Sequence, residues 1–267
     1  MIVAIDVGNT NILLGVLRGS DVDAVRRAAT RPQSTADELD LVISGLLGLD
    51  GAALEQVDEM VVASVVPAVT ATLNDLAARR GIKVHHADAT SVPILVRIDR
   101  PTDVGADRLV NAFAAARLHG APAIVVDFGT ATNFDVVAAD GAYIGGALAP
   151  GLELGLDALA SKTAKLPRIG LVMPPRAIGR DTVSAMQSGA LIGYVGLVGE
   201  LVRAMTNELT LDGGDRPKVI LTGGLSAAAW AESIPGVDVI DPLLTLRGLA
   251  MLHQEVFAAP RPSRAQA

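Results

Sequence analysis

Short apolar runs alternate with turn residues along most of the chain, and this pattern predicts an α/β protein. Met1–Ile5 reads as a buried strand, and Ile12–Leu17 reads as its hairpin partner across the turn Gly8–Asn11. Three further apolar runs predict strands in the first half of the chain: Met60–Val66, Ile82–His85 and Val92–Ile98.

The predicted helices of this half have recognisable ends. Thr35 and Glu38 form a capping box, and the apolar stripe behind it continues to Leu47. Two more helices are expected, one from Pro67 to the residue before Gly81 and one over Asp107–His119, which Gly120 closes.

The same order of elements then starts again. Ala123–Val126 is predicted as a strand, Asn133–Val137 as its hairpin return and Tyr143–Leu148 as a third strand. The remaining predicted elements are helices at Leu152–Leu159 and Thr182–Leu209, strands at Lys218–Leu221 and Val237–Ile240, a short helix at Trp230 and a closing helix at Leu243–Phe257.

This repetition predicts two similar α/β halves with mixed sheets. We expect the first half to span residues 1–120 and the second to span 121–258, followed by a flexible tail at 259–267. A nucleotide would then lie in a cleft between the halves, which is a common place for small-molecule sites.

Composition narrows the possible functions. Half of the 267 residues are hydrophobic but only 3% are aromatic, so the core must be aliphatic. A net charge of −7 without a basic cluster argues against nucleic acid as a partner. The chain has no Cys, which excludes disulfides and thiolate metal sites. No apolar run reaches membrane-spanning length and no basic leader is visible, so we expect no membrane span and a cytoplasmic protein.

Two loops share one pattern, in which an apolar strand ends in Asp, a spacer, Gly and a small polar residue. The first is Asp6-Val7-Gly8-Asn9-Thr10, and the second is Asp127-Phe128-Gly129-Thr130-Ala131. Glycine lets the backbone approach a phosphate, and a nearby carboxylate can hold Mg²⁺ through water. Each loop alone is equally compatible with a plain hairpin turn. The recurrence of the pattern favours phosphate binding.

A third glycine motif, Thr222-Gly223-Gly224, follows the strand Lys218–Leu221. Bare backbone at this place can carry a flat adenine or ribose, although a simple strand-to-helix turn has the same sequence. The chain lacks the Walker A pattern, which excludes a P-loop NTPase. Asp127-Phe128-Gly129 matches three letters of the protein-kinase signature without its other parts.

Candidate acceptor chemistry lies between the two Asp loops, in Gly105-Ala106-Asp107-Arg108. Asp107 opens a predicted helix, where a carboxylate is electrostatically favoured, and it is the candidate base for an acceptor hydroxyl. Arg108 could form a bidentate pair with a substrate carboxylate. The alternative is an N-terminal helix Asp with a solvated Arg.

Together these motifs resemble the type III pantothenate kinases, which belong to the acetate and sugar kinase/Hsp70/actin superfamily. The resemblance covers nearly the whole chain and includes Gly145–Gly151. It implies a duplicated actin-like (ribonuclease H-like) fold and a homodimer built on the long helix after Thr182. It also implies ATP-dependent phosphorylation of pantothenate to 4′-phosphopantothenate, the first step of coenzyme A biosynthesis.

The resemblance further implies a role for individual residues. Asp107 would be the catalytic proton acceptor, Asp127 would bind a monovalent cation (K⁺ or NH₄⁺), and Asp6 would hold Mg²⁺ through water. Pantothenate would contact Gly105, Ala106, Asp107, Arg108 and, from the partner subunit, Thr182. ATP would lie on Asp6, Val7, Gly8, Asn9, Thr10, Asn11, Ile12, Leu13 and Thr130, with Gly223 and Gly224 adding the bare backbone described above.

Two positions depart from the family pattern. Ile98 stands where the family usually has a Tyr that lines the pantothenate pocket, and Asn133 stands where it usually has Thr. Neither change removes a catalytic group. Two alternatives therefore stay open: another small-molecule kinase of the same superfamily, or a catalytically silent nucleotide-binding regulator on the same fold.

Overall fold

A computed structural model describes residues 1–19, 21–211 and 213–258. The tail predicted at 259–267 lies outside these described residues. The chain forms two five-stranded mixed sheets with helices, which confirms the predicted α/β class. The residues group into two compact units. The first holds Met1–Ile94, Arg100–Ala114 and the described residues from Thr245 onward, and the second holds Leu95–Asp99 and Ala115–Leu244.

The sheet of the first unit has the strand order β3-β2-β1-β4-β5. β1, β2 and β3 form an antiparallel meander, and β4 and β5 run parallel to β1. The bounds are β1 Ile2–Val7, β2 Asn11–Arg18, β3 Asp21–Ala29, β4 Glu59–Ser64 and β5 Lys83–His86. The sequence pattern missed β3, because its four charged residues leave no apolar run and its pairing with β2 is irregular between Leu14 and Val16.

The sheet of the second unit repeats this arrangement, with the order β10-β9-β6-β7-β8. β6, β7 and β8 are antiparallel, and β9 and β10 are parallel to β6. The bounds are β6 Ala123–Phe128, β7 Ala131–Val137, β8 Tyr143–Pro150, β9 Lys218–Gly223 and β10 Val239–Ile240. Strand order and direction agree element by element, so the predicted duplication is confirmed.

The helices begin and end close to the predicted residues. The Thr35 hydroxyl accepts the Glu38 N–H (3.3 Å) and the Glu38 carboxylate accepts the Thr35 N–H (2.8 Å), which confirms the capping box. Gly81, in the left-handed conformation (φ 70°), closes α2. The bounds are α1 Ala36–Gly48, α2 Pro67–Arg80, α3 Ala106–Leu118, α4 Leu152–Lys162, α5 Thr182–Gln187, α6 Gly193–Thr210 and α7 Leu244–Leu252.

The strand predicted over Val92–Ile98 is wrong. Only Val96 makes an isolated bridge, to Tyr143, and the Ile94 N–H turns back to the Val92 carbonyl (2.8 Å). Pro93 explains the difference, since it cannot donate a ladder hydrogen bond. Trp230, predicted on a short helix, directly precedes the 3₁₀ turn Ala231–Ser233.

Each unit has its own apolar core. In the first, α1 and α2 cover one face of the sheet with residues such as Ile43 and Leu73. In the second, α6 covers the sheet, and Phe128, Tyr194 and Trp230 meet with ring centroids 5.5 to 6.0 Å apart. These cores hold the first strand of each sheet in a fixed central position.

Among the described residues, Thr182–Thr210 is the one helical stretch that combines membrane-spanning length with an apolar composition. It joins α5 and α6 through the π-helical segment Ser188–Ile192, and by length and composition it could cross a membrane. Tyr194, Val198 and Val202 on it are buried in the second core, as in a packing helix. This composition is therefore weak evidence for a membrane span.

Candidate active site

The two predicted Asp residues occupy equivalent positions in the two sheets. Asp6 is the penultimate residue of β1 and Asp127 is the penultimate residue of β6, and both are half-buried. Asp6 pairs with Ala63 on the parallel neighbour β4, and Asp127 pairs with Thr222 on β9. Duplication has thus placed one carboxylate at the corresponding end of the central strand in each unit.

The first loop is a tight hairpin with an exposed tip. The Gly8 N–H donates to the Asn11 carbonyl (3.0 Å), and Asn9 and Thr10 are exposed. The Thr30 hydroxyl donates to the Gly8 carbonyl (2.6 Å), and the Thr30 N–H donates to the Thr10 carbonyl (2.9 Å). Thr30 directly follows β3, so the unpredicted strand braces the loop from one side.

The predicted ATP residues of this loop differ in what they can offer. Val7 and Ile12 are buried in the first core, so their side chains face away from any ligand and only their backbone groups can take part. Asp6, Asn11 and Leu13 are half-buried. A phosphate at this loop would therefore meet backbone N–H groups and the polar side chains at residues 9–11.

The second loop is braced in the same way. The Gly129 N–H donates to the Ala131 carbonyl (3.0 Å), and Thr130 is exposed. Gly151 directly follows the third strand of this sheet, and its N–H donates to the Thr130 carbonyl (3.1 Å). A Cβ at residue 151 would lie 2.7 Å from the Gly129 carbonyl oxygen, so only glycine allows this approach.

The third glycine motif lies against the second loop. A Cβ at Gly223 would overlap Oδ1 of Asp127 and lie 2.7 Å from the Phe128 nitrogen, and Gly223 has a positive φ of 87°. The Gly224 N–H donates to the Phe128 carbonyl (3.1 Å). The structure therefore brings Asp127 and Gly223 together, a contact that no sequence motif indicated.

Asp127 also has a buried hydroxyl as its neighbour across the sheet. Thr222 pairs with Asp127 in the parallel β6–β9 register, so both side chains leave the same face of the sheet. The Thr222 Oγ1 is buried and has no hydrogen-bond partner among the described residues. Burying a hydroxyl without a hydrogen bond costs free energy. This position therefore suits a bound cation that the hydroxyl oxygen can coordinate.

Asp107 has the most distinctive environment of the predicted residues. It lies in the first turn of α3, and its Oδ1 accepts the Arg108 N–H (2.9 Å). A Cβ at Gly105 would overlap this same oxygen and approach Val65 (3.3 Å), so the carboxylate packs directly over glycine. Burial raises the pKa of Asp107, although the N–H and the charge of Arg108 act to lower it.

Thr182 is distant from this motif in the chain, and it belongs to the second unit. It is the first residue of α5 and is exposed, next to Asp181, which caps the helix by accepting the Ser184 N–H (2.9 Å). The described chain thus groups Gly105 to Arg108 in one place and leaves the Thr182 hydroxyl on the surface.

Chemically, these elements fit transfer of a phosphoryl group. The tips of the two hairpin loops expose Asn9, Thr10 and Thr130, whose polar groups can meet phosphate oxygens, and the strand-end carboxylates suit cations. A carboxylate with a raised pKa at a helix start suits abstraction of a hydroxyl proton. Sequence reasoning missed Thr30 and the hydroxyl of Thr222. The repeated strand order could have indicated β3 and hence Thr30.

Comparison with known proteins points in the same direction. The family model described as type III pantothenate kinase matches residues 2–204. A type III pantothenate kinase of Moorella thermoacetica is 42% identical over 95% of this chain and 99% of its own. Those of Paramagnetospirillum magneticum and Frankia casuarinae are each 45% identical, over 95% and 96% of this chain and 97% and 99% of theirs.

Solved structures agree on the fold. A Campylobacter jejuni protein assigned to the Baf transcriptional activator family aligns with a TM-score of 0.60 at 16% identity, over 95% of this chain and 98% of its own. A Sinorhizobium meliloti protein assigned as a 2-dehydro-3-deoxygalactonokinase aligns with a TM-score of 0.53 at 15% identity, over the whole of both chains. At these identities the likeness concerns the fold alone, and it confirms the actin-like class.

Because the pKa of Asp107 is raised in the folded protein, the stability of the protein should depend on pH. The folded protein holds this proton more tightly than the unfolded chain, so the wild type loses stability as pH rises through the folded pKa. Asp107→Asn keeps an oxygen that accepts the Arg108 N–H. Because the amide does not titrate, the variant does not lose stability as pH rises. We expect the variant to melt at a higher temperature than the wild type at pH 7, and the gap to shrink as pH falls towards the unfolded value of about 3.9.

Thermal unfolding scans between about pH 4 and pH 8 measure this gap. Asp103→Asn is the matched control, because Asp103 is exposed just before the motif, and its gap to the wild type should not follow this pH course. An Asp107→Asn variant that is less stable than the wild type at pH 7 would contradict the assignment.

Proposed function

This chain belongs to the type III pantothenate kinase family, and from that premise we propose how its residues divide the work of the reaction. The protein phosphorylates pantothenate with ATP and Mg²⁺ to give 4′-phosphopantothenate, the first step of coenzyme A biosynthesis. The observation that supports the residue assignment most is the Asp107 carboxylate, packed over Gly105 at the start of α3 with a raised pKa.

Asp107 is the general base in this proposal. The hydrogen bond from the Arg108 N–H fixes the direction of the carboxylate, and burial makes it more basic than an exposed Asp. It takes the proton from the primary hydroxyl of pantothenate as that oxygen attacks the γ-phosphorus, and the bond from the γ-phosphorus to the β–γ bridging oxygen breaks, so that ADP leaves. Arg108 binds the pantothenate carboxylate, and Gly105 and Ala106 supply backbone against the substrate.

The first loop holds the ATP phosphates. Phosphoryl transfer passes through a loose transition state, so catalysis depends on positioning and on positive charge at the phosphate oxygens. Within the predicted stretch Asp6 to Leu13, the exposed hairpin tip with the side chains of Asn9 and Thr10 serves this role, together with Thr130 on the second loop and the bare backbone of Gly223 and Gly224 beside that loop. The half-buried Asp6 carboxylate fits Mg²⁺ held through water, and Mg²⁺ would supply charge at the phosphates.

Asp127 holds a monovalent cation, K⁺ or NH₄⁺. The donor set fits such an ion, since a half-buried carboxylate lies beside the buried Thr222 hydroxyl, which lacks a hydrogen-bond partner among the described residues. Because Gly223 has no Cβ, the Asp127 carboxylate can pack directly against its backbone. The cation would add positive charge near the phosphates of ATP.

The protein acts as a cytoplasmic homodimer without nucleic-acid or membrane partners. Support comes from the helical stretch 182–210, which exposes Val183, Ile192 and Leu197 although it packs its other face into the second core. In such a dimer, Thr182 of the partner subunit would contact pantothenate, as the resemblance to the family implies. The acidic net charge of −7 is unfavourable for polyanions and anionic lipid surfaces.

Replacing Asp107 tests the base directly. Asp107→Asn should bind ATP normally but lower kcat for pantothenate by roughly 10² to 10⁴-fold, because the acceptor hydroxyl loses its proton acceptor. ADP release measures kcat, and nucleotide titration measures ATP binding. Asp103→Asn is again the control and should retain wild-type turnover. Turnover by Asp107→Asn within a few-fold of wild type would remove Asp107 from this role.

The cation assignment predicts two linked effects. Asp127→Asn should abolish the stimulation of turnover by K⁺, and Thr222→Val should raise the K⁺ concentration for half-stimulation by about tenfold, since it removes one oxygen ligand. Thr222→Val should remain at least as stable as the wild type, because it deletes an unpaired buried hydroxyl.

Initial rates across a KCl series at constant ionic strength, balanced with choline chloride, give both values. Matched melting curves check the stability of the valine variant. An unchanged K⁺ response in both variants would exclude a cation at Asp127.

The dimer proposal predicts that an added charge on the exposed helix face separates the subunits. Leu197→Arg should change the mass in light scattering from twice the 27.4 kDa of the chain to the chain mass itself, and turnover should fall with it. Leu211→Arg is the matched control, because Leu211 is exposed at the end of the same helix. A wild-type protein that is monomeric at micromolar concentration would contradict the proposal.

A further inference from the structure

Glu59, His85 and His253 form a cluster that the kinase reaction does not use. The Nε2 atoms of both imidazoles converge on Oε2 of Glu59, at 2.6 Å for His85 and 3.1 Å for His253. The three ligand atoms all lie within 4.8 Å of one another. All three residues belong to the first unit, and we call this group the His-Glu cluster.

The fold brings the His-Glu cluster together from three separate segments. Glu59 is the first residue of β4 and pairs with Lys83 on β5, so His85, two residues further on, leaves the same face of the sheet. His253 is the first residue of the π-helical segment His253–Phe257, which extends α7. Such π turns insert an extra residue and are frequent at functional sites, because they change the direction of side chains.

We propose that the His-Glu cluster binds a divalent transition metal ion of the zinc type. The ligands would be the Nε2 atoms of His85 and His253 and a carboxylate oxygen of Glu59, with water in a fourth position. Two imidazoles and a carboxylate are a common donor set for such ions. Tetrahedral ligands at about 2.1 Å from Zn²⁺ stand about 3.4 Å apart, so the observed pairs need to open by less than 1 Å.

The surroundings suit a metal ion. The two histidine side chains are only 10% and 8% exposed, and Phe257 stacks on the ring of His85 with centroids 4.4 Å apart, which fixes its orientation. The Lys83 Nζ lies 3.7 Å from Oε2 of Glu59, but this side chain is 61% exposed and can move into solvent.

The position of the cluster indicates a structural role. Glu59 begins β4, whereas Asp6 pairs with Ala63 near the other end of that strand, so the cluster lies about 13 Å along the sheet from the phosphate loop. A bound ion would join the end of the last helix to two strands of the first sheet. Without an ion, the same residues form a hydrogen-bonded triad, and the experiment must separate these two states.

The test uses the full chain, treated with chelator and free of ATP and Mg²⁺. Zn²⁺ is titrated in competition with a chromophoric chelator, and Co²⁺ is added separately to record its visible absorption. We expect one ion per chain, an absorption spectrum of tetrahedral Co²⁺ that Zn²⁺ abolishes, and a Tm about 5 °C higher with saturating Zn²⁺.

Two variants distinguish metal binding from the hydrogen-bonded triad. His253→Gln keeps an N–H donor for Glu59 but lacks the imidazole ligand, so Zn²⁺ affinity should fall at least a hundredfold. His119→Gln is the matched control, because His119 pairs with Asp241 (3.3 Å) in the second unit, and it should bind Zn²⁺ as the wild type does.

The wild-type Co²⁺ spectrum keeps the proposal testable if His253→Gln does not fold. A wild-type protein without stoichiometric Zn²⁺ binding or without a tetrahedral Co²⁺ spectrum would show that the cluster is only a hydrogen-bonded triad. Unchanged Zn²⁺ affinity in folded His253→Gln would equally overturn the site.

Discussion

The site depends on carboxylates that pack directly against glycine. Oδ1 of Asp107 occupies the space that a Cβ at Gly105 would fill, and Oδ1 of Asp127 does the same at Gly223. This packing restricts the position of each carboxylate by direct contact with the glycine. It also partly removes Asp107 from water, which raises its pKa and makes it a better base. In the proposed mechanism, the glycines of these motifs are therefore required together with the acids.

Duplication supplies the frame for this packing. In both units the residue after the third strand, Thr30 or Gly151, donates its N–H to the carbonyl of the threonine in the hairpin loop. The two loops are thus built in the same way, yet their neighbours differ. Asp6 faces Ala63 on β4, whereas Asp127 faces the hydroxyl of Thr222 on β9. This difference supports separate roles for the loops, one for ATP with Mg²⁺ and one for a monovalent cation.

Local signals carried most of the prediction from sequence. Apolar runs, the capping box at Thr35 and the repeated Asp-x-Gly pattern indicated both halves, because each depends only on nearby residues. The charged residues of β3 left no apolar run that could indicate a strand. Pro93 interrupts the run Val92–Ile98, which otherwise has the composition of a strand. Contacts between distant segments could not be predicted from the sequence. Asp127 meets Gly223, and Glu59 meets His253, only because the chain folds. In a single sequence, the separation of two residues along the chain does not indicate such a contact.

In the proposed mechanism these carboxylates serve one reaction, with pantothenate as the acceptor. The most direct measurement is acceptor-dependent ADP release by the unaltered chain with ATP, Mg²⁺ and K⁺, using a panel of pantothenate, sugars and small hydroxy acids, with the product identified by mass spectrometry. We expect that, among these acceptors, only pantothenate supports turnover. The product should carry a single added phosphoryl group on its primary hydroxyl. Turnover with a sugar but not with pantothenate, or nucleotide binding without turnover on any acceptor, would contradict the proposed mechanism.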